Sequence, residues 1–83
     1  ILGGGQLGRM MAMAAAELGY HVHIYCPEED APACEVAAST THASYRNENA
    51  MARFAKDVDV ITYEFENIPL GPVEELAKLV PVY

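Results

Sequence analysis

The sequence predicts an α/β fold, an open parallel sheet of about five strands with helices on both faces and strand order 3-2-1-4-5. Three observations carry that prediction. The apolar stub Ile1-Leu2 runs into Gly3-Gly4-Gly5-Gln6-Leu7-Gly8, in which Gly3, Gly5 and Gly8 have the G-x-G-x-x-G spacing of a strand-to-helix turn. β-forming runs recur at His21–Cys26 and Val58–Tyr63. Helical patterns separate them over spans of roughly 20 to 30 residues, the rhythm of βαβ units.

Each element has a local reason. Leu7, Met11, Ala14 or Ala15, and Leu18 recur at helical spacing, and Gly19 suits the position just past a helix end. Met10, Met11 and Met13 are expected to fill the core. His21-Val22-His23-Ile24-Tyr25-Cys26 alternates as a second strand, ended by Pro27, and Glu28 to Pro32 is a loop. Ala33 to Ala38 suggests a helical turn or two. Thr40-Thr41-His42-Ala43 reads as a short third strand. Asn47 is placed to cap a helix over Glu48 to Lys56. Val58 to Tyr63 is the clearest strand. Pro72 to Leu79 reads as a helix with proline and acids near its start. A fifth strand opens near Val80. Ile1 and Leu2 fall short of a typical strand of about five or six residues. The segment therefore reads as an N-terminal piece of a larger protein, cut at both ends.

Composition narrows the function. Hydrophobic residues make up 52% of the 83, which suits a packed core rather than disorder. The longest apolar stretch, Met10 to Ala16, is far short of a membrane span. A net charge of −7, with five Lys and Arg in all, argues against a nucleic-acid surface. Two cysteines without a secretory signal suggest reduced thiols in a cytoplasmic protein.

Two constellations carry chemistry. The glycine loop suits a tight turn, close backbone approach and a ligand at a helix N-terminus, and equally a tight turn with no ligand. A dinucleotide site also wants an acid at the end of the second strand, where this chain has Cys26. Glu28, Glu29 and Asp30 follow Pro27 and offer substitutes, or form a solvated loop. The second constellation is Thr62-Tyr63-Glu64-Phe65-Glu66-Asn67-Ile68-Pro69, at the carboxyl end of the fourth strand. In this strand order Glu64 faces the glycine turn across one crevice, where a carboxylate accepts from ribose hydroxyls or an amine. Glu64 and Glu66 read either as binding groups or as solvated residues at the strand exit. His21 and His23 share a strand face near Cys26, but neither C-x-x-C nor H-E-x-x-H spacing is present, so no metal ligand is assigned. No Lys-Ser or Lys-Thr follows the glycines, which excludes a Walker loop.

Together, Gly3-Gly4-Gly5-Gln6-Leu7-Gly8-Arg9-Met10 and Tyr63-Glu64-Phe65-Glu66-Asn67-Ile68-Pro69 closely resemble the N-terminal domain of 5-(carboxyamino)imidazole ribonucleotide synthase, an ATP-grasp ligase family of purine biosynthesis. Ala31-Pro32-Ala33 and Asp59-Val60-Ile61-Thr62 extend the resemblance across essentially the whole segment. It implies that residues 1–83 are a Rossmann-like preATP-grasp domain, with the ATP-grasp and C-terminal domains outside them. It also implies carboxylation of 5-aminoimidazole ribonucleotide with bicarbonate, through carboxyphosphate. ATP and Mg²⁺ would bind in the domains outside the segment, the full-length protein would be a homodimer, and this segment would hold no catalytic residue. By the same resemblance Gly5, Gln6, Leu7 and Glu64 bind the ribonucleotide. Relatives often carry Asp where this chain has Cys26, and Arg9 is the one base near the loop. Formate-dependent glycinamide ribonucleotide transformylase, a related ATP-grasp family, and a dinucleotide-binding module remain as alternatives.

Overall fold

The computed structural model describes residues 1–64 and 70–83. After Leu2, helix α1 spans Gln6–Glu17, followed by strand β1 (His23–Tyr25), a 3-10 helix (Pro32–Glu35), strand β2 (Ser39–Thr41), helix α2 (Glu48–Lys56) and helix α3 (Leu70–Ala77). β1 and β2 form a two-stranded parallel sheet in which His23 pairs with Ser39 and Tyr25 with Thr41. Isolated parallel bridges join Leu2 to both Tyr25 and Tyr63, and Ile61 to Val82. The α/β class and parallel pairing expected from the sequence are therefore present. Ladder hydrogen bonds run from the Leu2 N–H to the Thr62 carbonyl at 2.8 Å and from the Glu64 N–H to the Leu2 carbonyl at 3.1 Å.

β1 shows why the sheet needs helices on both faces. Successive side chains alternate between faces. Tyr25 packs with Leu2, Met51, Phe54, Ile61 and Leu76, beneath α2 and α3. Ile24 and Cys26 pack with Ala12, Ala31 and Ala33, beneath α1 and the 3-10 helix. Phe54 meets the His23 ring edge-on at a centroid distance of 4.9 Å. His23 and Cys26, three residues apart, thus belong to opposite faces. The sequence had set them close together; strand parity separates them.

The helix ends follow local chemistry. Asn47 Oδ1 accepts from the Ala50 N–H at 3.0 Å, and α2 occupies the expected Glu48–Lys56. At the end of α1, the Gly19 N–H donates to the Ala16 carbonyl and the Tyr20 N–H to the Ala15 carbonyl, each at 3.0 Å. Gly19 has φ of +89°, so this is a Schellman stop of the kind glycine favours. α3 begins two residues before the expected Pro72. Of the expected strand from Val58 to Tyr63, bridges at Ile61 and Tyr63 are present.

α1 corrects one expectation. Its buried residues are Gly8 and Ala12, while Leu7, Met10, Met13 and Leu18 are exposed. The helix docks by its smallest residues, which let it approach the glycine loop closely, so the methionines at 10 and 13 face outward rather than filling the core. None of the helices among the described residues is long and apolar enough to cross a membrane.

Candidate ribonucleotide site

The site starts from a helix with no cap of its own. Gly5 is the N-cap residue of α1, makes no side-chain cap, and no acid follows in the first turn. A helix start leaves N–H groups unpaired and carries the positive end of its dipole. Glu64 supplies what is missing. One carboxylate oxygen accepts from the Gly5 N–H at 2.8 Å and the other from the Gly8 N–H at 2.5 Å. These are the two N–H positions that a capping box satisfies, here served by a side chain at the exit of the backbone paired with Leu2.

The missing side chains at Gly5 and Gly8 leave room for this close approach. A Cβ on Gly5 would lie 2.9 Å from one Glu64 oxygen. A Cβ on Gly8 would lie 2.8 Å from the other and 2.9 Å from the Gly3 carbonyl oxygen. The crevice expected between Glu64 and the glycine turn is closed at this point by direct hydrogen bonds.

Beside this contact lies a cavity of about 350 Å³ lined by Gly4, Gly5, Glu28, Asp30, Ala31, Pro32, Tyr45 and Glu64. The Ala33 N–H donates to the Gly4 carbonyl at 2.8 Å and holds the 3-10 helix against the loop. Burial pushes the Tyr45 phenol above its ordinary value, and the nearby Cys26, Glu28 and Glu64 add to the effect. Three carboxylates and a phenol held in its neutral form suit ligand groups that donate hydrogen bonds, such as hydroxyls and amines. They do not suit a phosphate. The N–H groups that a dinucleotide pyrophosphate or an ATP phosphate would use here already hold a carboxylate. The residues present therefore do not fit the phosphates of ATP at this helix start.

Of the residues expected from the sequence, Gly5 and Glu64 come together on the cavity wall. Gln6 and Leu7 are exposed on the first turn of α1 and are not among the lining residues. Glu28 and Asp30, set against a solvated loop, line the cavity. Glu66 and the rest of 65–69 lie outside the described residues. Arg9 Nε is buried without a hydrogen-bond partner among the described residues. Tyr45 escaped the sequence reading, since no spacing rule links it to a loop forty residues earlier.

The family model for the ribonucleotide synthetase preATP-grasp domain matches residues 1–83. Among curated relatives, the bifunctional purine synthesis protein purC/E of Dictyostelium discoideum is 60% identical over 83 residues, covering 100% of this chain and 8% of that protein. The N5-carboxyaminoimidazole ribonucleotide synthase of Brucella melitensis is 50% identical over 78 residues, covering 94% of this chain and 22% of that protein. The chain thus spans a minor part of each. Among solved structures, N5-carboxyaminoimidazole synthetase from Staphylococcus aureus complexed with ADP superposes with a TM-score of 0.93 at 42% identity, covering 98% of this chain and 22% of that one. The synthase from Aspergillus clavatus in complex with ADP and 5-aminoimidazole ribonucleotide does so with a TM-score of 0.84 at 34% identity, over the same shares. A family match over every residue shows that the chain belongs to the ribonucleotide synthetase preATP-grasp domain family.

Proposed function

We propose that this chain is the substrate-binding N-terminal part of an ATP-dependent ligase that carboxylates 5-aminoimidazole ribonucleotide with bicarbonate in purine biosynthesis, by way of carboxyphosphate. The observation that carries this reading is the Glu64 bridge between the fourth strand's end and the glycine loop. It forms a rigid wall for a cavity whose lining accepts hydrogen bonds. Each Glu64 oxygen keeps a second lone pair beyond its bond to the loop. Those lone pairs accept from a ribose hydroxyl or the amine, while Gly5 lets the ligand approach the backbone. Gln6 and Leu7, exposed beside the loop, close over the ligand from the α1 side.

ATP and Mg²⁺ belong to parts of the full-length protein outside these residues, in keeping with the misfit at α1. The parallel bridges at Leu2, Tyr63, Ile61 and Val82 support extension of the two-stranded sheet to five strands in the order 3-2-1-4-5. The same reading places the full-length protein in the cytoplasm as a homodimer, and the unbonded thiols of Cys26 and Cys34 suit a reducing compartment.

The test is ATP hydrolysis by the full-length protein. The expected result is turnover that requires both bicarbonate and 5-aminoimidazole ribonucleotide. Turnover with formate and glycinamide ribonucleotide instead would assign the transformylase reaction. Tight NADH binding by fluorescence titration would restore the dinucleotide reading that the occupied loop opposes.

A further inference from the structure

Cys26, Cys34 and His42 stand apart in the sequence, in no recognised ligand spacing, and the fold gathers them. Cys26 directly follows β1 and His42 directly follows β2. The pairing of Tyr25 with Thr41, continued by a hydrogen bond from the Cys26 N–H to the Thr41 carbonyl at 3.1 Å, sets Cys26 and His42 side by side. Cys34 arrives from the 3-10 helix, which the Gly4 carbonyl anchors over the same strand ends. The two sulfurs are 3.7 Å apart, and one ligand atom from each of the three residues lies within 4.8 Å of the others.

We propose that Cys26, Cys34 and His42 form a binding site for one thiolate-seeking divalent cation of the zinc class, with the fourth coordination position open to solvent. Two sulfurs bound to one tetrahedral zinc at about 2.3 Å sit about 3.7–3.8 Å apart, the separation found here. A disulfide would draw them to about 2.05 Å and has no use for an imidazole in the same cluster. The donor set of two sulfurs and one nitrogen also selects against Mg²⁺ and Ca²⁺, which take oxygen ligands. Burial grades from a fully enclosed Cys26 through a half-buried Cys34 to an exposed His42, which leaves the metal a path inward. On binding, each coordinating thiol releases its proton to solvent.

Such an ion would fasten three short elements at once: the end of β1, the end of β2 and the 3-10 helix. It would also act on the ligand cavity. A Cβ at Gly4 would lie 2.8 Å from the Cys26 sulfur, so Cys26 forms the floor under the glycine loop. The ion would thereby brace the glycine loop that Glu64 also holds.

The experiment titrates metal-free, reduced full-length protein with Co²⁺. One equivalent is expected to give a thiolate-to-cobalt charge-transfer band in the near ultraviolet and the visible bands of a four-coordinate ion. Stoichiometric Zn²⁺ should abolish both. Cys34→Ser and His42→Ala, at half-buried and exposed positions, should retain the fold by far-UV circular dichroism and weaken Zn²⁺ binding on the order of tenfold or more. Zn²⁺ should raise the melting temperature of the parent protein and not of Cys34→Ser. Absence of the charge-transfer band at saturating Co²⁺, or a band undiminished in Cys34→Ser, would overturn the assignment. So would unimpeded oxidation of Cys26 and Cys34 to a disulfide in protein loaded with stoichiometric Zn²⁺.

Discussion

The Glu64 carboxylate accepts a hydrogen bond from the Gly5 N–H at 2.8 Å across 59 residues of chain. With its second oxygen on the Gly8 N–H, it caps α1 from outside that helix. This pairing ties the exit of one strand to the entry of the first helix, and it gives the loop a negative rather than a positive face. A loop already holding a carboxylate disfavours phosphate and leaves acceptor lone pairs for donors.

Glu64→Ala should cost about 1.5–3 kcal/mol of stability, because two N–H groups at a helix start lose an ionised acceptor. Glu64→Gln keeps one amide oxygen and should fall between alanine and the parent in a urea melt. In the full-length enzyme, kcat/KM for limiting ribonucleotide should fall by a comparable free energy. Parent-like stability and kcat/KM in Glu64→Ala would leave neither the capping nor the binding role standing.

Gly4→Ala and Gly19→Ala should both destabilise, for different reasons. At Gly4 the new Cβ would meet the Ala31 Cβ at 2.7 Å, an overpacking cost of about 1–3 kcal/mol. At Gly19 no described atom lies within 4 Å, and the penalty of about 1–2 kcal/mol comes from the left-handed backbone alone. Gly19→Asn should recover part of that loss, and Gly4→Asn should not. Equal behaviour of the two asparagine variants in thermal melts would contradict this division.

Asn47→Ala should lower stability by about 1 kcal/mol through loss of the bond to the Ala50 N–H. Asn47→Asp should restore most of it. A melting temperature indifferent to both changes would show that packing of Met51 and Phe54 alone holds the start of α2.

His23 should make the fold sensitive to acid. Burial lowers its pKa below the ordinary 6.5, so the folded chain binds fewer protons than the unfolded chain just below that pH. Stability is then fully present above pH 6.5 and declines as pH falls toward the folded-state value. Denaturation midpoints measured from pH 7 to 5 should drop, and the drop should be shallower in His23→Gln. A steeper drop in the variant would reverse the assigned sign.

How much was legible can be judged residue by residue. Asn47 and Gly19 announced the helix boundaries they set, because capping is chemistry among neighbours. The alternation at His23–Tyr25 and the glycine spacing after Leu2 likewise named a strand and a strand-to-helix turn. Helical periodicity, in contrast, says which residues share a face and not which face is docked. Met10 and Met13 therefore went to the surface while Gly8 and Ala12 went inside.

The sequence by itself determined the α/β class, the end of α1, the bounds of α2 and the glycine loop, all of which rest on local propensity or short spacing. Tertiary structure alone decided that Glu64 would be bonded to the loop, that Tyr45, Glu28 and Asp30 would share its cavity, and that Cys26, Cys34 and His42 would converge. Each of these depends on parallel strand register and crossover packing. Those are contacts between residues far apart in the chain, about which no window of neighbouring residues carries information.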